Sequence, residues 1–206
     1  MGGELVSIVR AEGLKEERSR SFNASVDWYH YFGDFQANLL VEGFYTKLSD
    51  PFVLTPPVKD PDGSAYLIQT RINGSGAKVY GGTLEGKVAY KDKVQLQAGL
   101  TLQRSIYDSP EEWSADEEHL SEKERYSDKI LRTPDVYGYF TATYMPVKAF
   151  SIALNGNYTG RMYVPHLLSE VNGEADVLVK SPDFFELGTK TVSYTHLRAH
   201  ETSAHL

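Results

Sequence analysis

The stretch FQANLLVEGFYTK, residues 35–47, changes character at almost every step. Phe35, Ala37, Leu39, Val41, Gly43 and Tyr45 fall on one side of the alternation. Gln36, Asn38, Glu42 and Thr46 fill most positions on the other. A period of two puts successive side chains on opposite faces of a strand, one apolar and one polar. The same pattern returns in VQLQAGLTLQRS, residues 94–105, where Val94, Leu96, Ala98, Leu100 and Leu102 oppose Gln95, Gln97, Thr101 and Gln103. It returns again in FSIALNGNYTGRM, residues 150–162, with Phe150, Ile152, Leu154, Tyr158 and Met162 against Ser151, Asn155, Asn157, Thr159 and Arg161. Weaker versions cover residues 22–28, 80–90 and 136–144, and FFELGTK, residues 184–190, continues the series. The expectation is an all-β chain, an antiparallel up-and-down meander of about six or seven long strands.

The connections alternate as well. Tight turns are expected at Phe32-Gly33-Asp34, Lys91-Asp92-Lys93 and Pro146-Val147-Lys148, and long loops at residues 49–73, 108–133 and 164–183. Short turns at one end of a sheet and long loops at the other characterise a transmembrane β-barrel. Aromatic residues mark the same geometry, since Phe35 and Tyr45, like Tyr80 and Tyr90, stand ten residues apart on the apolar face. Ten residues at a rise of ~3.3 Å, tilted by ~40°, climb about 25 Å, the height of the apolar band of such barrels. Trp28, Tyr144 and Phe150 fall on the turn side, where a second aromatic girdle belongs. The competing architecture is a soluble β-sandwich, such as a carbohydrate-binding module, but its strands usually run only ~5–6 residues.

Composition narrows the function. The 206 residues include no cysteine, so disulfides and thiolate metal sites are excluded, and the net charge of −7 argues against nucleic acid or an anionic membrane surface as partner. No apolar run approaches the ~18 residues of a membrane helix, and the opening MGGELVSIVRAEG has no signal-peptide core. Tyrosine, at 14, and glycine, at 17, fit an all-β protein.

Four stretches carry a family resemblance: GLKEERSRSF (residues 13–22), NGSGAKVYGGTLEGKVAY (73–90), LRTPDVYGYFTATYMP (131–146) and SPDFFELGTK (181–190). Together they resemble the barrel domain of TonB-dependent outer-membrane receptors. Glu85, after Gly81-Gly82, sits where that family carries a glutamate in a strand leaving a long loop. The resemblance implies a barrel of about 22 strands, plugged by an N-terminal domain, that imports a siderophore, haem, cobalamin or glycan with energy delivered by TonB. Outer-membrane lipid, the TonB complex and a small-molecule or glycan ligand are the implied partners, and no cofactor is. Against that pattern the sequence is expected to carry no plug, no TonB box and no closing strand ending in an aromatic residue. Residues 20–191 are therefore expected to be a part of the barrel wall, residues 1–19 a periplasm-side or loop-side lead-in, and the piece alone incapable of transport. A passive porin or structural barrel is the alternative.

The remaining motifs yield no catalytic, cofactor or metal site, and the ligand-binding residues are unknown at this level. VSYTHLRAHET begins at Val192, ends at Thr202 and resembles the translation of a transposase adapter used in shotgun library preparation. Residues 192–206 are accordingly read as a non-native tail, although His196 and His200 are spaced as on one helical face with Glu201 adjacent and His205 further on. Asp60, Asp62 and Gly63 hint at a calcium loop but lack its other ligands. The acidic run EEWSADEEHLSEKER, residues 111–125, is expected to be a solvated loop with at most a helical turn. The Asn-x-Ser/Thr triplets at Asn23, Asn73 and Asn157 carry no weight on bacterial strands, and Gly74-Ser75-Gly76 lacks the spacing of a dinucleotide fingerprint. No enzyme is expected.

Overall fold

The computed structural model describes residues 6–60 and 67–193. In chain order the elements are β1 (Val6–Arg10), β2 (Arg18–Phe32), β3 (Phe35–Ser49), β4 (Phe52–Leu54), β5 (Val58–Lys59), β6 (Leu67–Asn73), β7 (Ala77–Tyr90) and β8 (Val94–Glu112). They continue as α1 (Glu122–Arg125), β9 (Tyr126–Lys129), β10 (Val136–Val147), β11 (Phe150–Thr159), β12 (Tyr163–His166), α2 (Ser169–Asn172), β13 (Val177–Lys180) and β14 (Phe184–Ser193). The main sheet has the order β14-β11-β10-β8-β7-β3-β2, with β9 added on β8. Every neighbouring pair in it is antiparallel. This is the expected meander, open at β2 and β14.

Strands of 10 to 19 residues pair over nearly their whole length because each tight turn fixes the register of its hairpin. Between β2 and β3 the loop is Gly33-Asp34, and Phe32 pairs with Phe35. Gly33 has φ +60°, at the first central position of a two-residue turn, where a side chain would be strained. The turn after β10 is Lys148-Ala149 rather than Pro146-Val147-Lys148. Pro146 lies inside β10 at a register shift between Tyr144 and Val147, which accommodates a residue with no N–H to donate. β11 stops at Thr159, short of Met162, because the Gly160 amide turns back to the Val136 carbonyl at 2.8 Å. β14 runs through Val192 and Ser193, two residues past the boundary read from the sequence, pairing with Ser151 and Phe150. His196, His200, Glu201 and His205 lie outside the described residues, as do Asp62 and Gly63.

The register sorts the side chains into two faces. One carries rows such as Val26-Val41-Leu84-Leu100 and Ala37-Val88-Leu96-Ala142-Leu154. The other carries Gln97 beside Lys87, Asn38, Thr141 and Asn155. No second layer covers the apolar rows: Leu100 is 45% exposed and Leu96 50%. Apart from Pro51 and Pro56, Ala77 is the only apolar side chain buried among the described residues. A sandwich would have buried these leucines between sheets. Near the turns, Trp28, His30, Phe32, Phe35 and Tyr90 form a chain of ring contacts with centroids 4.7 to 5.7 Å apart. At the far end Tyr45 pairs with Tyr80 at 6.5 Å, and beyond them Lys47 and Lys78 flank Asp108, with Lys78 Nζ 2.5 Å from its carboxylate. Aromatics followed by charges mark where an apolar band ends.

The long loops are not structureless. β6 pairs in parallel with β1 and antiparallel with β4 and β5, so the chain before β2 is woven into the loop end of the molecule. β12 and β13 form a hairpin of their own.

In an intact barrel that carries this segment, Leu100→Arg is expected to destabilise the assembled wall by ~2–4 kcal/mol, whereas Gln95→Arg, exposed on the polar face, costs little. Heat-modifiable mobility of the membrane fraction measures this, and equal tolerance of the two variants would reverse the faces.

Candidate functional site

The centre of the polar face is a closed set of three side chains from three strands. Tyr139 Oη on β10 donates to Glu85 Oε2 on β7 at 2.5 Å, and Gln97 Nε2 on β8 reaches both Glu85 Oε1 and Tyr139 Oη at 2.9 Å. Glu85 and Tyr139 are not on adjacent strands. Both pair with Gly99 of β8, and the tyrosine ring lies across that glycine to reach the carboxylate. A Cβ at Gly99 would stand 2.5 Å from Tyr139 Cε1. The glycine is required by this close approach. Two rows further along, Thr83 and Thr101 share a hydroxyl hydrogen bond at 2.9 Å. The result is a stiff polar wall in which the Glu85 carboxylate is held at the middle by its neighbours.

The loop end holds a second constellation. Ser114, fully buried, donates to Asp176 Oδ2 at 2.6 Å and accepts from the Asp116 amide at 3.1 Å. Asp116 accepts from the Asp176 amide at 3.0 Å, and Asp176 Oδ1 receives the amides of Leu168 and Ser169 at 2.7 and 2.8 Å. The loop after β8 is thus locked to the loop between β11 and β14. His119 closes the set, its amide and its Nδ1 each 3.0 Å from Asp116 Oδ1. Burial pushes the Asp116 carboxyl up, but the Asp176 and His119 amides and the His119 ring outweigh it and hold it below the ordinary range. The hydrogen bond to Asp116, against partial desolvation, raises the His119 imidazole above its ordinary value. Neighbouring Trp113 donates its indole N–H to the Glu124 carbonyl at 2.8 Å, and Ser121 and Glu124 form a capping box on α1.

Between these loops and the top of β8 lies a cleft of about 480 Å³ lined by Phe52, Tyr107, Glu111, Trp113, Arg132 and Leu167, among others. Its aromatic floor and mixed charges suit an organic ligand held by stacking and a few polar contacts. Sequence reasoning placed Glu85 in a strand leaving a long loop, which the structure places at the centre of the wall. It did not find Gln97, Tyr139 and Gly99 as its companions, although two of the residues paired across Gly99 carry the only signal, an acid and a phenol in register. The run 111–125 does contain the expected helical turn, but it is not simply solvated, because Ser114 and Asp116 are buried. Among the described residues no three His, Asp or Glu side chains are grouped to hold a metal ion.

A bare apolar face, a self-bonded polar face and loops gathered at one end define a section of a transmembrane β-barrel wall. The chain belongs to the TonB dependent receptor-like β-barrel family, whose model matches residues 2–199. Solved structures share the fold at low identity. The FrpB iron transporter from Neisseria meningitidis is 16% identical with a TM-score of 0.51, over 89% of this chain and 25% of that one. The copper transporter OprC is 14% identical with a TM-score of 0.53, over 91% and 26%. A mutant of the ferric enterobactin receptor PfeA from Pseudomonas aeruginosa is 12% identical with a TM-score of 0.54, over 89% and 24%. The chain therefore spans about a quarter of the length of the receptors it matches. No curated protein matches the chain in sequence.

Two outcomes test this geometry in the intact receptor. Gly99→Ala is expected to cost ~1–3 kcal/mol by driving Tyr139 off Glu85, and Tyr139→Phe ~1 kcal/mol through the lost hydroxyl; urea midpoints in detergent read both. The loop lock carries a pH signature whose sign follows from the two shifts. Asp116 is depressed, so its contribution is present above the ordinary value of 3.8 and fades as pH falls through the lowered one. His119 is raised, so its contribution is full below the ordinary value of 6.5 and is lost as pH rises through the higher one. Protection of the Asp176 amide from hydrogen exchange, corrected for the intrinsic rate, should therefore drop on the alkaline side, and His119→Gln should flatten that drop.

Proposed function

We propose that this chain is part of the barrel wall of an outer-membrane receptor that imports a scarce nutrient with energy delivered through TonB. The observation that carries the reading is the sorting of the sheet: apolar rows left bare, polar rows bonded to each other, long loops at one end. In that placement Leu84, Leu96, Leu100 and Leu154 meet lipid, and the Glu85-Gln97-Tyr139 set meets the plug. The loops that frame the Trp113 cleft stand outside the cell, where they meet the ligand first. The solved receptors sharing the fold are described as iron, copper and ferric-enterobactin proteins, which supports nutrient import as the class. A small organic ligand or chelate fits the aromatic cleft better than a bare ion, because Phe52, Tyr107 and Trp113 supply rings, and Lys129 and Arg132 supply cations beside Glu111 and Glu112.

Uptake by cells carrying the intact receptor should stop on deletion of TonB. Trp113→Ala combined with Arg132→Ala should raise the half-saturating ligand concentration about tenfold or more, as expected for loss of a stacking face and a charged hydrogen bond. Uptake indifferent to TonB would move the protein to a passive porin.

A further inference from the structure

The ladder between β8 and β10 ends at Leu102 and Val136, after which the Gln103 amide takes the Asp135 carbonyl at 2.8 Å. β9 then takes over β8: the Ile130 amide reaches the Ser105 carbonyl at 3.3 Å and Ile106 pairs with Lys129. Where one strand replaces the other the wall opens into a cavity of about 290 Å³. Arg104, Lys129, Arg161 and Lys180 all line it, against the single carboxylate of Asp135. Arg161 is engaged by Asp183 at 3.5 Å, but no carboxylate among the described residues comes within 4.0 Å of Arg104, Lys129 or Lys180. Lys129 and Lys180 instead share one ring, with Nζ 4.5 and 5.9 Å from the centre of Tyr163.

These features need a common explanation. Two ammonium groups gathered on one ring, with a guanidinium in the same lining, repel each other, and the ring quadrupole offsets only part of that. The net charge of −7 makes the cluster an exception to the chain's own balance. A bound anion removes the repulsion and takes up the free donors, and a tetrahedral oxyanion offers enough acceptors for all of them. Depth selects the anion. Arg104 lies on the apolar face in the row of Tyr45 and Tyr80, the level at which the aromatic girdle meets headgroups. We propose that this cavity is a phosphate-binding site, occupied in the membrane by the phosphate of an anionic lipid headgroup. The lipid as source rests on the membrane placement above, whereas phosphate recognition does not.

The test uses the intact receptor with two probes. Inorganic phosphate is titrated into detergent-solubilised protein by calorimetry. Separately, protein from vesicles of phosphatidylcholine mixed with phosphatidylglycerol is extracted and its retained lipid identified by native mass spectrometry. Retention of phosphatidylglycerol over phosphatidylcholine, reduced on the order of tenfold in Lys129→Gln/Lys180→Gln, supports the site and its lipid source. Phosphate binding that is sensitive to the same substitutions without lipid preference supports the site and overturns the lipid source, leaving a soluble phosphoryl group as the ligand. Neither phosphate binding nor preference, or values unchanged in the variant, overturns the proposal. Lys148→Gln, at the opposite end of the wall, should change nothing, and if the double variant loses its heat-modifiable mobility, Arg104→Gln decides by the same readouts. Failure here leaves TonB-dependent uptake untouched, so the two readings fail separately.

Discussion

Strand-to-strand hydrogen bonding carries this structure, because there is almost no apolar interior to carry it. In a water-soluble domain the alternating strands would press their leucines together, and burial would supply most of the stability. Here Leu84, Leu100, Leu102 and Val41 all stand about half exposed on one face. What compels the sheet to stay paired is the cost of an unsatisfied N–H or C=O in hydrocarbon, several kcal/mol each by the usual transfer arguments. Register then becomes strict, since a slip of one residue would turn Leu96 and Leu100 to the polar side and Gln95 and Gln97 to lipid.

That same constraint explains what could be read without coordinates. The alternation of residues 35–47 and 94–105 is imposed by two different media on two faces, so it is written in the sequence and the long strands follow from it. The turn at Gly33 is equally legible, since only glycine takes its φ without strain. The loop architecture is not. β1 meets β6 across some sixty residues, and Ser114 meets Asp176 at a separation of 62. Neither contact leaves a period in the chain. Residues 150–162 mislead for a related reason: the polar and apolar positions keep alternating past Thr159, but the Gly160 amide has already turned to Val136.

The polar face shows how a wall can be stiff without a core. Tyr139 spans a whole strand to reach Glu85, which is possible only because Gly99 leaves the intervening position empty. Gln97 completes the set so that each member bonds both others. Such a closed network fixes three strands relative to one another across their faces, where backbone bonds fix them only edge to edge. A carboxylate presented this way keeps one orientation.

Stiffness ends where β10 leaves β8. Above Leu102 the wall's ladder passes to β9, whose pairing covers Ile106 and then resumes only at Glu111. The loops beyond are therefore anchored less by the sheet than by each other, through Asp116 and Asp176. Asp176 alone takes four partners, accepting from Ser114, Leu168 and Ser169 and donating its own amide to Asp116. Breaking that one cluster uncouples the two loops from each other, while the β8–β9 pairing, the β12–β13 hairpin and every hydrogen bond of the wall below remain. Rearrangement at the loop end is thus separable from the part of the sheet whose strands stay paired. The division follows from solvent alone: water can satisfy a loop that opens, and hydrocarbon cannot satisfy a strand that does.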